Sequence, residues 1–466
     1  MPKKDHEKKN GSFLALLAEG YSECRVASTL KMSKTAVHKN KTSECKIAAE
    51  SDKLAMVKQG DVTIGGLFSI HDTVMEPDQA FTSKPVSMRC TGFNFRTFRW
   101  SQTMIYAIEE INKDGNLLPN ITLGYKIYDS CNTNFHALKA AVTLMNGQDE
   151  TVTGYSCNPS VPVVMGDGGS TLSIVVARFL GIFNVPQVSY FSTCACLSDK
   201  REFPAFLRTI PSDFFQVEAL VQLVQRFGWT WVGTVAGDDD YGRRGVQIFN
   251  EEVKKCGVCI AFYEVVPKNH ARDKMSKIVE TIKASRARVI LVFSLEQDAR
   301  ALFHEVLRQN VSGIQWLASE AWITAALLAT PEFSSLLDGS VGFAIRRAEI
   351  PGLKQFLLRL RPSMLMCTGT EDLARVNNVY SDVTQLRISY NVYKAVYAIA
   401  HSLDDMSKCE NGSGPLEHKS CPNISDFEPW QQSDEVFKPL FGHCIKRHYV
   451  FSEVMGYGVS YLLVTS

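Results

Sequence analysis

The chain has 466 residues, 45% of them hydrophobic, and a formal net charge of +1. That length carries two or three domains with real cores, and the near-neutral charge excludes a protein whose main business is nucleic acid or an acidic substrate. Thirteen cysteines, with glycosylation triplets at Asn120, Asn310, Asn411 and Asn423, point to an oxidising, extracellular setting. Met1–Asn10 is charged and polar with no apolar run of signal-peptide length after it, and no stretch approaches the roughly 20 apolar residues of a membrane span.

Residues 1–59 read differently from the rest. Short helices over Leu14–Leu17, Val26–Leu30 and Thr35–His38, with Ser22 and Ser33 as N-caps, fit a helix-turn-helix whose Lys34, His38, Lys39 and Lys41 would face phosphate. The pattern EGYS…VASTLKMSKTAVHKNK resembles the N-terminal helix-turn-helix of Tc1/mariner-type transposases, over about thirty residues. A DNA-binding protein led by this segment is therefore one reading of the chain. The neutral charge and the sequon-bearing body count against it.

From Gly60 strands and helices alternate. Val62–Phe68 reads as a buried strand and Ser101–Asn112 as a helix with Met104, Ile105, Ile108 and Ile111 on one face. Strand Ile121–Tyr128, helix Ala137–Asn146, strand Pro162–Met165 and helix Thr171–Phe183 follow, then the strand PQVSY and the apolar stretch Phe203–Ile210. After Asp213 the pattern restarts: helix Phe215–Phe227, strand Thr230–Ala236, helix Gly242–Lys255, strand Val258–Val266, helix Arg272–Ala284, strand Val289–Phe293, helix Gln297–Gln309 and strand Ile314–Leu317. The fold class is α/β, two doubly wound lobes around a cleft. Residues 60–212 open lobe 1, 213–345 form lobe 2, and 346–430, with a helix at Tyr390–Leu403, return to lobe 1; 431–466 lose the pattern and form an atypical tail.

Ligands of such folds sit at strand C-termini, here between the lobes. The turn Gly168-Gly169-Ser170 opens a helix, and unpaired backbone N–H groups with the dipole behind them make a seat for an anion. Ser192 and Thr193, after PQVSY, add hydroxyl donors. The other face offers Asp213, Tyr241 and Glu320, two carboxylates and a phenol that suit an ammonium group. Donors on one wall and acceptors on the other suit a zwitterion. Asp238–Asp240 reads equally as a polar turn. No Gly-Lys-Ser/Thr phosphate loop, HExxH or Gly-x-Ser-x-Gly motif occurs, so no enzyme, cofactor or metal is expected. The Cys-x-Cys at 194–196 has no second pair to complete a metal site.

PQVSYFST, FLRTIPSD, WVGTVAGDDDYGRRG, WLASEAW and LRISYNVYKAVYAIAH together resemble the Venus-flytrap ectodomain (periplasmic-binding-protein type I) of class C G-protein-coupled receptors, over roughly Gly60 to Trp430. The calcium-sensing, type-2 vomeronasal and type-1 taste receptors are the nearest in kind, and STCACLSDK leans toward the vomeronasal and fish olfactory branch. The resemblance implies an L-amino acid bridging the lobes, its carboxylate on Ser170 and Thr193 and its amine on Asp213, Tyr241 and Glu320. It further implies that closure reorients two protomers at the plasma membrane and activates a membrane domain; the signal peptide, cysteine-rich domain and seven-helix domain of the family are not written in this sequence. Phe191 stands where the calcium-sensing branch has a small residue. The resemblance implies disulfides Cys90–Cys131 and Cys409–Cys421. Cys157 either bonds across the dimer or pairs with Cys194 or Cys196; Cys259 matches a cysteine that bonds the cysteine-rich domain, and Cys367 has lost its partner. A soluble amino-acid-binding protein without signalling is the remaining alternative.

Overall fold

The computed structural model describes residues 56–75, 88–145, 161–359, 380–410, 420–421 and 461–465. The helix-turn-helix reading of Gly11–Lys41, Cys157, Cys367, Asn411 and Asn423 all lie outside them.

The first sheet holds β1 (Met56–Lys58), β2 (Val62–Phe68), β5 (Leu123–Asp129), β6 (Val164–Met165), β7 (Gln187–Ser189) and β8 (Phe206–Arg208) in the order β1-β5-β2-β6-β7-β8. All pairs are parallel except β1 with β5, where Met56 lies opposite Ile127. Lobe 1 thus begins by Met56, inside the segment read from sequence as a linker; three residues are too short to show a period. β2 is buried on both faces, as a central parallel strand must be, and its residues VTIGGLF form a nearly unbroken apolar run. β3 (His71–Met75) and β4 (Arg89–Phe93) form a separate hairpin-like pair.

Helices cover both faces. On one lie α1 (Phe95–Ile111) and α11 (Arg387–Ser407), whose Met104, Ile108, Val392 and Ile399 share a core with Ile64 and Ile127. On the other lie α2 (Asn134–Met145) and α3 (Ser170–Ile182), packed through Ala141, Leu144, Val176 and Leu180 onto Leu67 and Val164. α1 starts six residues before the sequence reading placed it. Its first turns bury Thr97, Arg99 and Ser101, polar residues that hide the apolar period. Asn94 caps it, its Oδ1 accepting from the amides of Arg96 (3.0 Å) and Thr97 (3.1 Å). Asn94→Ala is expected to cost about 1 kcal/mol, read as a fall of a few degrees in the thermal midpoint.

The second sheet has the order β10-β9-β11-β12-β13-β14, built from β9 (Trp231–Gly237), β10 (Cys259–Val266), β11 (Val289–Phe293), β12 (Gln315–Ala318), β13 (Val341–Ile345) and β14 (Tyr461–Thr465). Five strands are parallel; β14 adds antiparallel to β13, Phe343 facing Leu463. A strand inside the stretch read as a patternless tail is a correction: five residues, YLLVT, are a strand by composition and too few to be told from chance. α4 (Asp213–Arg226) and α5 (Asp240–Lys255) cover one face with Leu220, Val246 and Phe249; α6 (Arg272–Ala284) and α7 (Glu296–Arg308) cover the other with Ile278, Leu302 and Phe303. The short helices α8 (Glu320–Ile323), α9 (Pro331–Leu337) and α10 (Leu353–Leu357) complete the set.

Disulfides join Cys90 to Cys131, Cys194 to Cys196 and Cys409 to Cys421. The Cys194–Cys196 bond closes the alternatives that paired either with Cys157 and removes both sulfurs as metal ligands. Cys256 and Cys259 are free and exposed. Asn120 and Asn310 are exposed, as a glycan requires. No helix among the described residues is long and apolar enough to cross a membrane.

Candidate functional site

β6, β7 and β8 end side by side, and the residues that follow them build one wall. Ser170 opens α3, and its Oγ accepts from the Cys194 amide at 3.2 Å. Thr193 is 1% exposed, and its hydroxyl lies beside the Asp213 carboxyl, which it helps to hold down. Ser192 is different. Its hydroxyl bonds the Ser173 hydroxyl (2.7 Å) and donates to the carbonyls of Asp167 (3.1 Å) and Gly168 (3.2 Å), all within lobe 1. The structure therefore assigns Ser192 to holding the loop, leaving Ser170 and Thr193 at the wall. Arg208 ties the same loop by donating to the carbonyl oxygens of Cys194 (2.8 Å) and Ser192 (3.4 Å).

The glycine turn also differs from the sequence reading. Its amides are not vacant: Asp167 Oδ1 accepts from Gly168 at 2.5 Å and from Gly169 at 3.4 Å. Asp167 is 1% exposed, and burial pushes its carboxyl up to about 6 against the opposing pull of the Ser130 hydroxyl and the two glycine amides. Asp129 adds a nearby negative charge.

The facing wall belongs to α4, α5 and α8. Asp213 is the first residue of α4, whose cap Ser212 accepts from the Phe214 amide at 3.3 Å. Its own amide donates to the Thr193 carbonyl at 2.8 Å, which brings the carboxylate to the end of β7. Gln216, one turn on and on the same helix face, donates from Nε2 to Asp213 Oδ1 (3.2 Å) and Glu320 Oε2 (2.7 Å), while its Oε1 accepts from the Glu320 amide (2.7 Å). The Tyr241 hydroxyl donates to Glu320 Oε2 at 2.6 Å. Asp213, Tyr241 and Glu320, read from three separate motifs, thus meet around one glutamine the sequence reading missed. The signal for it was its i+3 spacing from Asp213.

Electrostatics sharpen this wall. Burial, then the charge of Glu320, drives the Asp213 carboxyl well above the ordinary range; the Thr193 hydroxyl, Arg208 and Gln216 oppose this. Burial also raises Glu320, held down in part by Tyr241 and Gln216. Two buried carboxyls this close are chemically suited to a cation, which would favour the ionised form of both.

Asp238–Asp240, read as a possible polar turn, has two specific uses. Asp239 caps α5 by accepting from the Gly242 amide at 2.8 Å. A Cβ on Gly242 would stand 2.4 Å from the Gly237 amide nitrogen, so only glycine lets α5 sit this tightly on the end of β9 and carry Tyr241 inward. Asp240 crosses to lobe 1: the Thr171 hydroxyl donates to its Oδ2 (2.9 Å) and accepts from its amide (3.0 Å). Arg96 of α1 pairs with Glu296 of α7, and Gln297 donates to Asp72 at 2.8 Å. Phe191 packs against the cores of both lobes. The lobes are closed on one another. Thr171→Val removes both bonds to Asp240 and is expected to weaken ligand binding by about threefold to tenfold with little change in the ligand-free melting point; unchanged affinity would show that this bridge does not contribute to closure.

Residues 99–438 match the family described as "Receptor family ligand binding region". The chain is 39% identical to the extracellular calcium-sensing receptor of Sus scrofa over 90% of its own length and 43% of that protein, and equally identical to that of Homo sapiens over 87% and 42%. It is 31% identical to taste receptor type 1 member 3 of Homo sapiens, over 82% of this chain and 47% of the receptor. The chain spans less than half the length of these relatives. With its two parallel sheets and the closed cleft between them, it belongs to the receptor ligand-binding-region family, among the extracellular regions of class C G-protein-coupled receptors.

Proposed function

We propose that the cleft binds an L-α-amino acid, or an odorant carrying the same amine and carboxylate, and that ligand closure of the lobes is the signal this region delivers. The observation that carries this is the meeting of Thr193, Asp213, Tyr241 and Glu320 in one buried cluster: the Asp213 amide donates to the Thr193 carbonyl at 2.8 Å, and Gln216 joins Asp213 to Glu320, which accepts from the Tyr241 hydroxyl. An ammonium group entering between the two carboxyls satisfies Asp213 and relieves the repulsion from Glu320. A carboxylate takes the Thr193 and Ser170 hydroxyls. Binding both at once spans residues of the two lobes and favours the closed state by its differential affinity. By likeness to the matched receptors, closure acts on a second protomer and on a membrane domain, placing this region outside the cell at the plasma membrane. The loop STCACLSDK supports a chemosensory, olfactory-type receptor.

The test is thermal shift of the secreted full chain against the twenty L-amino acids, with Asp213→Ala as control. At 100 times its dissociation constant a ligand stabilises by about 2.7 kcal/mol, a shift of a few degrees. Stabilisation by some amino acids, lost in the variant, is the expected result. A folded protein that ignores all twenty overturns the reading.

A further inference from the structure

The loops after three neighbouring parallel strands of lobe 1 each carry a buried polar side chain: Asp167 after β6, Thr193 after β7 and Asp213 beyond β8. The second and third are the carboxylate donor and amine acceptor of the α-amino-acid reading, on which this inference rests. The first is unaccounted for. Its Oδ2 makes no hydrogen bond of ordinary geometry, and every donor beside the carboxyl is neutral: Ser69 and the amides of Gly168 and Gly169 turn to Oδ1, and the Ser130 hydroxyl adds its pull. The groups facing Asp167 add no cation. Asp129 from β5 is a second acid, itself bonded to His71, and Tyr190, just after β7, spends its hydroxyl on the Leu67 carbonyl. Arg208 is spent on the Ser192 and Cys194 carbonyls and Ser198.

We propose that Asp167 is a specificity residue that receives a second cationic group of the ligand, and that the ligand is a basic amino acid of the lysine or arginine class. The spacing fits. Adjacent strands lie about 4.8 Å apart, so the loops that follow β6 and β8 start about 10 Å apart, within the reach of an extended basic side chain from its α-ammonium once a hydrogen bond is added at each end. A hydrogen bond to a charged group discriminates about tenfold or more against an analogue lacking it.

The experiment measures lysine, arginine, norleucine and cadaverine by thermal shift and calorimetry on the full chain and on Asp167→Asn, whose near-identical shape keeps the acceptor for the glycine amides. Lysine and arginine are expected to bind about tenfold or more tighter than norleucine, and the preference should vanish in Asp167→Asn while norleucine binding and the ligand-free melting point hold. The lysine-to-norleucine ratio should also fall as pH drops through about 6, where Asp167 protonates, and not in the variant. A preference that survives Asp167→Asn, or norleucine binding as well as lysine, overturns this inference and leaves the amine clamp standing. If no amino acid binds but cadaverine stabilises the native chain and not the variant, the carboxylate seat fails and the Asp167 assignment stands. If nothing binds to folded protein, both fall.

Discussion

Glu320→Gln is expected to weaken any ammonium-bearing ligand by about 2–5 kcal/mol, a loss of some 30-fold or more. Glutamine keeps the shape of the side chain and can still accept from Tyr241, so the loss reports charge rather than packing. The ligand-free protein should respond in the opposite direction. Burial holds Asp213 and Glu320 above the ordinary carboxyl range, so ionising them opposes folding. The stability they contribute is complete below about pH 4, the unfolded value, and is lost as pH rises through the raised folded values. Removing one of the two acids should flatten that fall. Melting the native chain and Glu320→Gln between pH 4 and 8 checks this, and parallel profiles would mean that the pair is not destabilising in the empty cleft.

The second large effect is structural. Trp316 is 1% exposed on β12 and meets Phe303 edge-on at 5.1 Å inside the lobe 2 core. Trp316→Ala is expected to cost about 3–5 kcal/mol through lost burial and the cavity left behind. Lobe 2 should then melt ahead of lobe 1, turning one calorimetric transition into two. A single transition lowered as a whole would show instead that the closed lobes unfold together.

Much of the architecture was legible because each strand is an apolar run and each helix has a period. Arg272–Ala284 and Val289–Phe293 were read with the bounds the structure gives. Boundaries slipped where polar residues are buried, as in the first turns of α1, or where a strand is only three to five residues long, as in β1 and β14. The site divided in the same way. Asp213, Tyr241 and Glu320 stand directly at element starts, where sequence position and placement coincide. Ser192 has the same position and the same chemistry as Thr193, yet its hydroxyl turns inward to Ser173 and two carbonyls. Nothing in a linear pattern distinguishes two adjacent hydroxyl residues by the direction they face. Asp167 was passed over because an acid beside a glycine turn reads as solvated; only its burial exposes the unmet acceptor. The Cys194–Cys196 bond was missed because the alternatives weighed were all long-range.

The packing of α1 against α11 fixes an order of events during synthesis. α1 is complete at residue 111, but the helix that covers its apolar face ends at residue 407. All of the chain from α4 to β13 is made in between. The five parallel strands of lobe 2 are thus made before α11 returns to cover α1, and the edge strand β14 follows last of all.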